Sequence, residues 1–216
     1  KNNNKILFDS LEKKELLDIS ESQNYIPLYK NFFKLNESNY NLINLNNTLS
    51  LKEIISKESD NKFVGKVVTD KGVEYNKNIF FKLSPLLDPI KYVTGKYDTL
   101  DDNLLNLPNF SNPERCHTKV NDPNNIGYVD GFFTYLTSQL LHKNGFIHGI
   151  DFYGSFLAIK NDYMVNIADD MEYLRDSKFF HKNKGKLYEF SQDQDFSMLD
   201  YDSRSFRPAI VVNEEI

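Results

Sequence analysis

Apolar positions along the 216-residue chain change their rhythm twice. Residues 1–61 carry a weak pattern, in which Leu7, Leu11, Leu16 and Leu17 predict one short helix and residues 49–55 a second. Between them Phe32, Phe33, Leu35, Tyr40, Leu42, Ile43 and Leu45 are interleaved with asparagines at spacings that fit neither a helix nor a strand. This stretch reads as an N-terminal extension with partial packing.

The signal sharpens at Lys62. Phe63, Val64, Val67 and Val68 lead into the turn Asp70-Lys71-Gly72, and Val73, Glu74 and Tyr75 follow as a second strand. After Asn76-Lys77-Asn78, residues 79–83 read as a third strand that Pro85 stops, completing an antiparallel meander. Pro89, Pro108, Pro113 and Pro123 punctuate residues 86–127, a connector with one short helix over 90–97. The strongest helical pattern lies at 128–142. There Val129, Phe132, Phe133, Leu136 and Leu140 fall at i, i+3, i+4, i+7 and i+11, one apolar face expected to be core. Asn144-Gly145 supplies the left-handed residue that ends such a helix. A short hairpin is expected from residues 156–159 and 164–168 around Asn161-Asp162, and a last strand at 209–212. The fold expected is α+β: a small antiparallel N-terminal sheet followed by a helical lobe with a short β-hairpin. Its divisions are an extension at 1–61, a sheet lobe and connector at 62–127, and a helix-plus-hairpin lobe with a charged tail at 128–216.

Composition narrows the function classes. Hydrophobic residues make up 40% of the chain and charged ones 26%, which excludes a disordered tail. A net charge of −5 argues against a surface dedicated to duplex nucleic acid. The tract 181–186, with Phe179, Phe180 and Tyr188 beside it, is the one segment suited to single-stranded nucleic acid, against the plainer reading of a solvated loop. The single cysteine, Cys116, excludes a disulfide framework within the chain, and Cys116-His117 lacks the further ligand pairs a zinc module needs. No run approaches the ~20 apolar residues of a membrane span, and the sequence given, which starts at Lys1, opens on no charged-then-apolar leader. A cytoplasmic location is expected. The 26 Asn and 22 Lys, against 4 Arg and 3 Ala, follow AT-rich codon usage and discount any chemistry built on asparagine runs.

One stretch carries candidate chemistry. Residues 145–174, GFIHGIDFYGSFLAIKNDYMVNIADDMEYL, place a His-Gly-X-Asp loop after the amphipathic helix and an Asp-Asp pair after the expected hairpin. This order resembles the catalytic core of protein kinases. The resemblance implies that Asp151 stands at the catalytic aspartate and His148 at its scaffold histidine. It implies that Asp169, helped by Asp170, holds magnesium, and that Lys82, in Ile79-Phe80-Phe81-Lys82, holds the phosphates of ATP. The sequence departs from the family pattern in several places. Phe156 occupies the position of the second metal ligand and is expected to pack inward against the 128–142 helix. Met171 follows Asp170 where the family has glycine, and the meander has only Gly65 and Gly72 in place of a glycine-rich phosphate loop. The implied activity is that of a degenerate kinase-like protein, either a weak phosphotransferase using ATP and Mg²⁺ or an inactive scaffold. The chain also resembles proteins of large eukaryotic DNA viruses, which implies host cytoplasm or virion as its location. The alternative function is a viral structural or assembly protein that docks protein partners through a surface rich in its 13 Tyr and 17 Phe.

Overall fold

The computed structural model describes residues 4–13 and 16–191. The chain divides into two compact units, one built from residues up to Leu86 together with Asp102–Tyr163, the other from Leu87–Asp101 and the chain from Met164 onward. This division cuts across the expected boundaries at 61 and 127. The strand expected at 209–212 lies outside the described residues.

The first unit begins with helix α1 (Lys5–Lys13), where a helix was expected, and strand β1 (Ile19–Gln23). Strands β2 (Leu49–Lys57), β3 (Lys62–Thr69) and β4 (Glu74–Phe80) form an antiparallel meander in the order β2-β3-β4. The period-2 rule sorts its faces: Phe63 and Val67 of β3 are buried with Ile54 and Ile79, while Lys66 faces outward and bonds Glu53 at 2.7 Å. Leu7, Phe8 and Leu11 of α1 lie one turn apart and cover Ile54 and Phe63. The meander is therefore one strand out of step with expectation. Residues 49–55 are strand, not helix, because bulges after Leu51 and Ile54 break the alternation that would have revealed β2. Residues 74–75 and 79–80 belong to one strand, which ends before Lys82.

Within the expected extension, residues 24–29 are packed into the core, whereas residues 30–47 are only half-buried or exposed. Tyr25, Ile26, Leu28 and Tyr29 are buried, and Ile26, Leu28 and Tyr29 cluster with Tyr128 and Leu157. Asparagines hold this irregular backbone. Asn41 accepts from the amides of Asn24 (2.7 Å) and Tyr25 (3.0 Å), Asn4 donates to Asn24 at 2.8 Å, and Asn44 donates to Asn4 at 3.0 Å. Each satisfies polar groups that no ladder supplies.

Helix α4 (Ile126–Asn144) starts at the cap Asn125, whose side chain accepts from Gly127 N, after the short helix α3 (Thr118–Asn121). As expected, Gly145 ends α4 at φ 67°, its amide bonding Leu141 O and that of Phe146 bonding Leu140 O. The expected 156–168 hairpin does not form. Strand β5 (Leu157–Lys160) pairs instead with β1, antiparallel, Ser20 opposite Ile159. Asn161, expected to reverse the chain into a hairpin, donates from its side chain to Asp18 at 3.1 Å and so ties the end of β5 to the start of β1.

The second unit packs α2 (Pro89–Val93), α5 (Met171–Arg175) and α6 (Lys178–Asn183) around Leu174 and Phe180. Helix α2 is shorter than the expected 90–97, since Asp88 caps its start and Thr94 and Gly95 close it. Phe180 stacks on Tyr188 with ring centroids 4.5 Å apart.

Two measurements check this packing. Ile54 is fully buried, so Ile54→Ala is expected to cost about 2–5 kcal/mol in a denaturant titration, as cavity-forming truncations do. Burial pushes the Tyr29 phenol up from 10.0 to about 12. Below pH ~10 both states keep this proton and stability is unaffected; above it the unfolded chain releases the proton first. Stability is expected to fall by about 1.4 kcal/mol per pH unit on this account between pH ~10 and ~12, and Tyr29→Phe is expected to flatten the decline.

Candidate functional site

Helix α4 supplies the partners of both Lys82 and Asp151. Near its start Asp130 receives Lys82 in an ion pair of 2.7 Å, with Lys82 well exposed on the loop after β4. Near its end His142 meets Asp151 at 2.5 Å between ring Nε2 and carboxylate. Asp130 and His142 are 12 residues apart, roughly 18 Å along a helix that rises ~1.5 Å per residue. The partners of Lys82 and Asp151 therefore stand toward opposite ends of α4, and the structure does not bring these two side chains into one cleft.

Asp151 is held by a local device. After Gly145 the chain runs back over the helix so closely that a Cβ at Gly149 would lie 2.6 Å from Thr137 O. The next contact fixes the loop: the amide of Phe152 donates to the hydroxyl of Ser138 at 3.2 Å, and Ser138 is fully buried. Phe152 is buried as well and sits edge-on to Tyr135 at 6.0 Å. Asp151, one residue earlier, projects outward to His142, with Tyr153 close by. Burial pushes the Tyr153 phenol up, and the negative charge of Asp151 adds to the effect.

His148 occupies a turn in which Gly149 N bonds Phe146 O, its ring 5.6 Å from Phe146 and exposed to solvent. The histidine that engages Asp151 is His142, which the sequence reading passed over. Its only signal was position: the last turn of a helix whose capping loop carries an aspartate. Phe156 does pack inward, but against Phe8 (5.2 Å) and Phe81 (6.3 Å), not against α4.

In the second unit Asp169 and Asp170 form a 3-10 turn, Ala168–Asp170, leading directly into α5. Acids at this place favour the helix N-terminus electrostatically. No group of three or more His, Cys, Asp or Glu side chains able to hold a metal occurs among the described residues. Of the 181–186 tract, His181 bonds Arg175 O at 2.7 Å and Lys184 lies over the Phe190 ring at 4.7 Å. These basic residues close the C-terminal end of α6, where cations are favoured.

The most unusual surface is the outer side of α4. Ile126 (77% exposed), Val129 (44%), Phe133 (63%), Leu136 (43%) and Leu140 (47%) all face solvent. The face expected to be core is thus outside, apart from Phe132, which stacks on Phe32 at 4.4 Å. The side turned inward carries Tyr128 and Ser138, both buried, with Phe132 and Tyr135 partly so. Tyr128 donates its hydroxyl to Val120 O at 2.6 Å. Helix α4 is apolar on both sides, so periodicity marked a face without saying which way it points. No helix in the described residues is long and apolar enough to cross a membrane.

The described architecture is mixed α+β, with a three-stranded and a two-stranded antiparallel sheet. No protein-family model, no curated protein and no solved structure matches the chain.

Proposed function

We propose that this chain is a non-catalytic docking protein, whose working surface is the outer face of α4 and whose ligand is a protein segment that presents a complementary apolar helix. The observation that carries this reading is the row of five large exposed apolar side chains on α4. Scattered exposed apolar residues are ordinary on soluble proteins; a continuous stripe over the whole length of one helix is not. The spacing of the stripe is that by which helices read one another, as apolar anchors on successive turns.

A further feature supports docking over catalysis. Lys82 and Asp151 are each engaged by a side chain of α4, Asp130 and His142, which stand about three helical turns apart. A phosphoryl-transfer site needs its lysine and acids gathered on one nucleotide, and its catalytic power comes almost wholly from that positioning. The kinase-like order of residues along the chain is consistent with an inactive scaffold.

The reading makes two demands. Calorimetric titration with ATP and Mg²⁺ is expected to give no saturable heat; binding that disappears in Lys82→Ala or Asp169→Asn would revive the phosphotransferase. If the stripe is a reserved surface and not core, Phe133→Ser at high dilution is expected to change unfolding free energy by no more than about 0.5 kcal/mol, since Phe and Ser have similar helix propensities. A loss of several kcal/mol would mean that Phe133 is packed, and would end the docking reading.

A further inference from the structure

The stripe on α4 specifies more than stickiness. Ile126, Val129, Phe133, Leu136 and Leu140 are separated by three, four, three and four residues, the alternation of a heptad seam with Ile126, Phe133 and Leu140 at one core position and Val129 and Leu136 at the other. A helix that merely covers its own core shows a wider stripe with period 3.6. Here the core-facing side is a different one, and the seam is left over for a second helix.

Resting on the docking reading above, we propose that the partner is a second copy of this chain, and that two α4 helices pair antiparallel about a two-fold axis passing between Phe133 and Leu136. The seam matches itself under that operation. With the axis at its midpoint, Phe133 of each copy meets Leu136 of the other, and Val129 meets Leu140, so large and small apolar groups interdigitate on both sides. A two-fold contact needs such self-complementarity, because the same patch serves both subunits.

Charge selects the direction. The position that mirrors Ile126 is Lys143, an exposed residue in the last turn of α4. In a parallel pair Lys143 would face its own copy, a like-charge clash at a core position. In the antiparallel pair it escapes that clash and falls at the other copy's first turns, where the half-exposed Asp130, already paired with Lys82, lies one helical turn from Ile126 and has a second carboxylate oxygen to share. Antiparallel helix dipoles add to the preference.

Size is sufficient. Helix α4 has 19 residues, hence is about 28 Å long. Its five stripe residues run from the first residue of the helix to within about one turn of its end. An interface on the order of 1,200 Å² in total follows, at the lower end of stable specific contacts. A reversible dimer is the expected product.

Sedimentation velocity on the full chain over a concentration series tests the pairing. A reversible monomer–dimer equilibrium is expected, and Phe133→Asp is expected to raise the dissociation constant at least about tenfold. Circular dichroism and the milder Phe133→Ser confirm that the fold is retained. Direction is read by mixing the variants Val129→Cys and Leu140→Cys, each carrying one introduced cysteine beside the buried Cys116, with oxidised glutathione as oxidant. The mixed 129–140 disulfide is expected to dominate; dominance of 129–129 and 140–140 products would overturn the antiparallel pair. A dimer unaffected by Phe133→Asp would place the interface elsewhere and overturn the proposal. A chain that stays monomeric at every concentration also overturns self-pairing. If Phe133→Ser is then still without effect on stability, docking to a different protein survives; if it is destabilising, both readings fall together.

Discussion

The rotation of α4 about its own axis is set by a buried hydroxyl. Ser138 has no exposure to solvent, and its oxygen accepts the amide of Phe152. An isolated buried hydroxyl or amide costs about 1–3 kcal/mol, so this pair is satisfied only when the Ser138 side of the helix faces the loop 149–153. Tyr128, ten residues earlier on the same inward side, adds its own buried bond to Val120 O. Successive residues on an α-helix are rotated by about 100°. Turning Val129, Phe133 and Leu136 inward would carry Ser138 and Tyr128 away from their partners. The polar bonds fix the angle, and the apolar stripe is exposed as a consequence.

That constraint explains what could be read from the chain and what could not. The existence of α4, its length within two residues at either end, and its glycine stop were legible, because a 3.6-residue period and an αL glycine are local signals. Its facing was not, because hydrophobicity cannot rank two apolar sides, and Ser138 looks polar until its partner is known. Helix α1 and strand β3 were legible for the same local reasons. Strand β2 was hidden by two bulges that mix inward and outward positions. The partner of β5 was hidden by distance along the chain: β1 lies more than 130 residues upstream, and no turn signal announces such a pairing. The asparagines were discounted as a compositional bias, yet Asn4, Asn24, Asn41 and Asn44 close the hydrogen bonds of the irregular segment that carries Tyr25 and Tyr29. Whatever the source of the bias in composition, the fold uses these residues.

The candidate site separates two kinds of likeness. Along the chain, Lys82, His148, Asp151 and Asp169 appear in the order in which a kinase presents its catalytic groups. In space Lys82 is spoken for by Asp130 and Asp151 by His142, toward the two ends of one helix. Surface contacts of this kind are worth about 0–1 kcal/mol, so they do not hold the fold together; what they record is where the side chains point. Function lives in such convergence and not in linear order. The most distinctive surface that the first unit presents is apolar and helical, and the docking proposal rests on it.

The setting of α4 can be measured directly by thiol reactivity at high dilution, with the buried native Cys116 as an internal reference. Leu136→Cys places a thiol on the outer seam and Ser138→Cys places one, almost isosterically, on the inner side two residues away. The account predicts that the Cys at 136 reacts as fast as a thiol in the unfolded chain and slows as protein concentration rises, while the Cys at 138 reacts only when the native structure opens. Equal rates at the two positions, or a protected 136 beside a reactive 138, would contradict it.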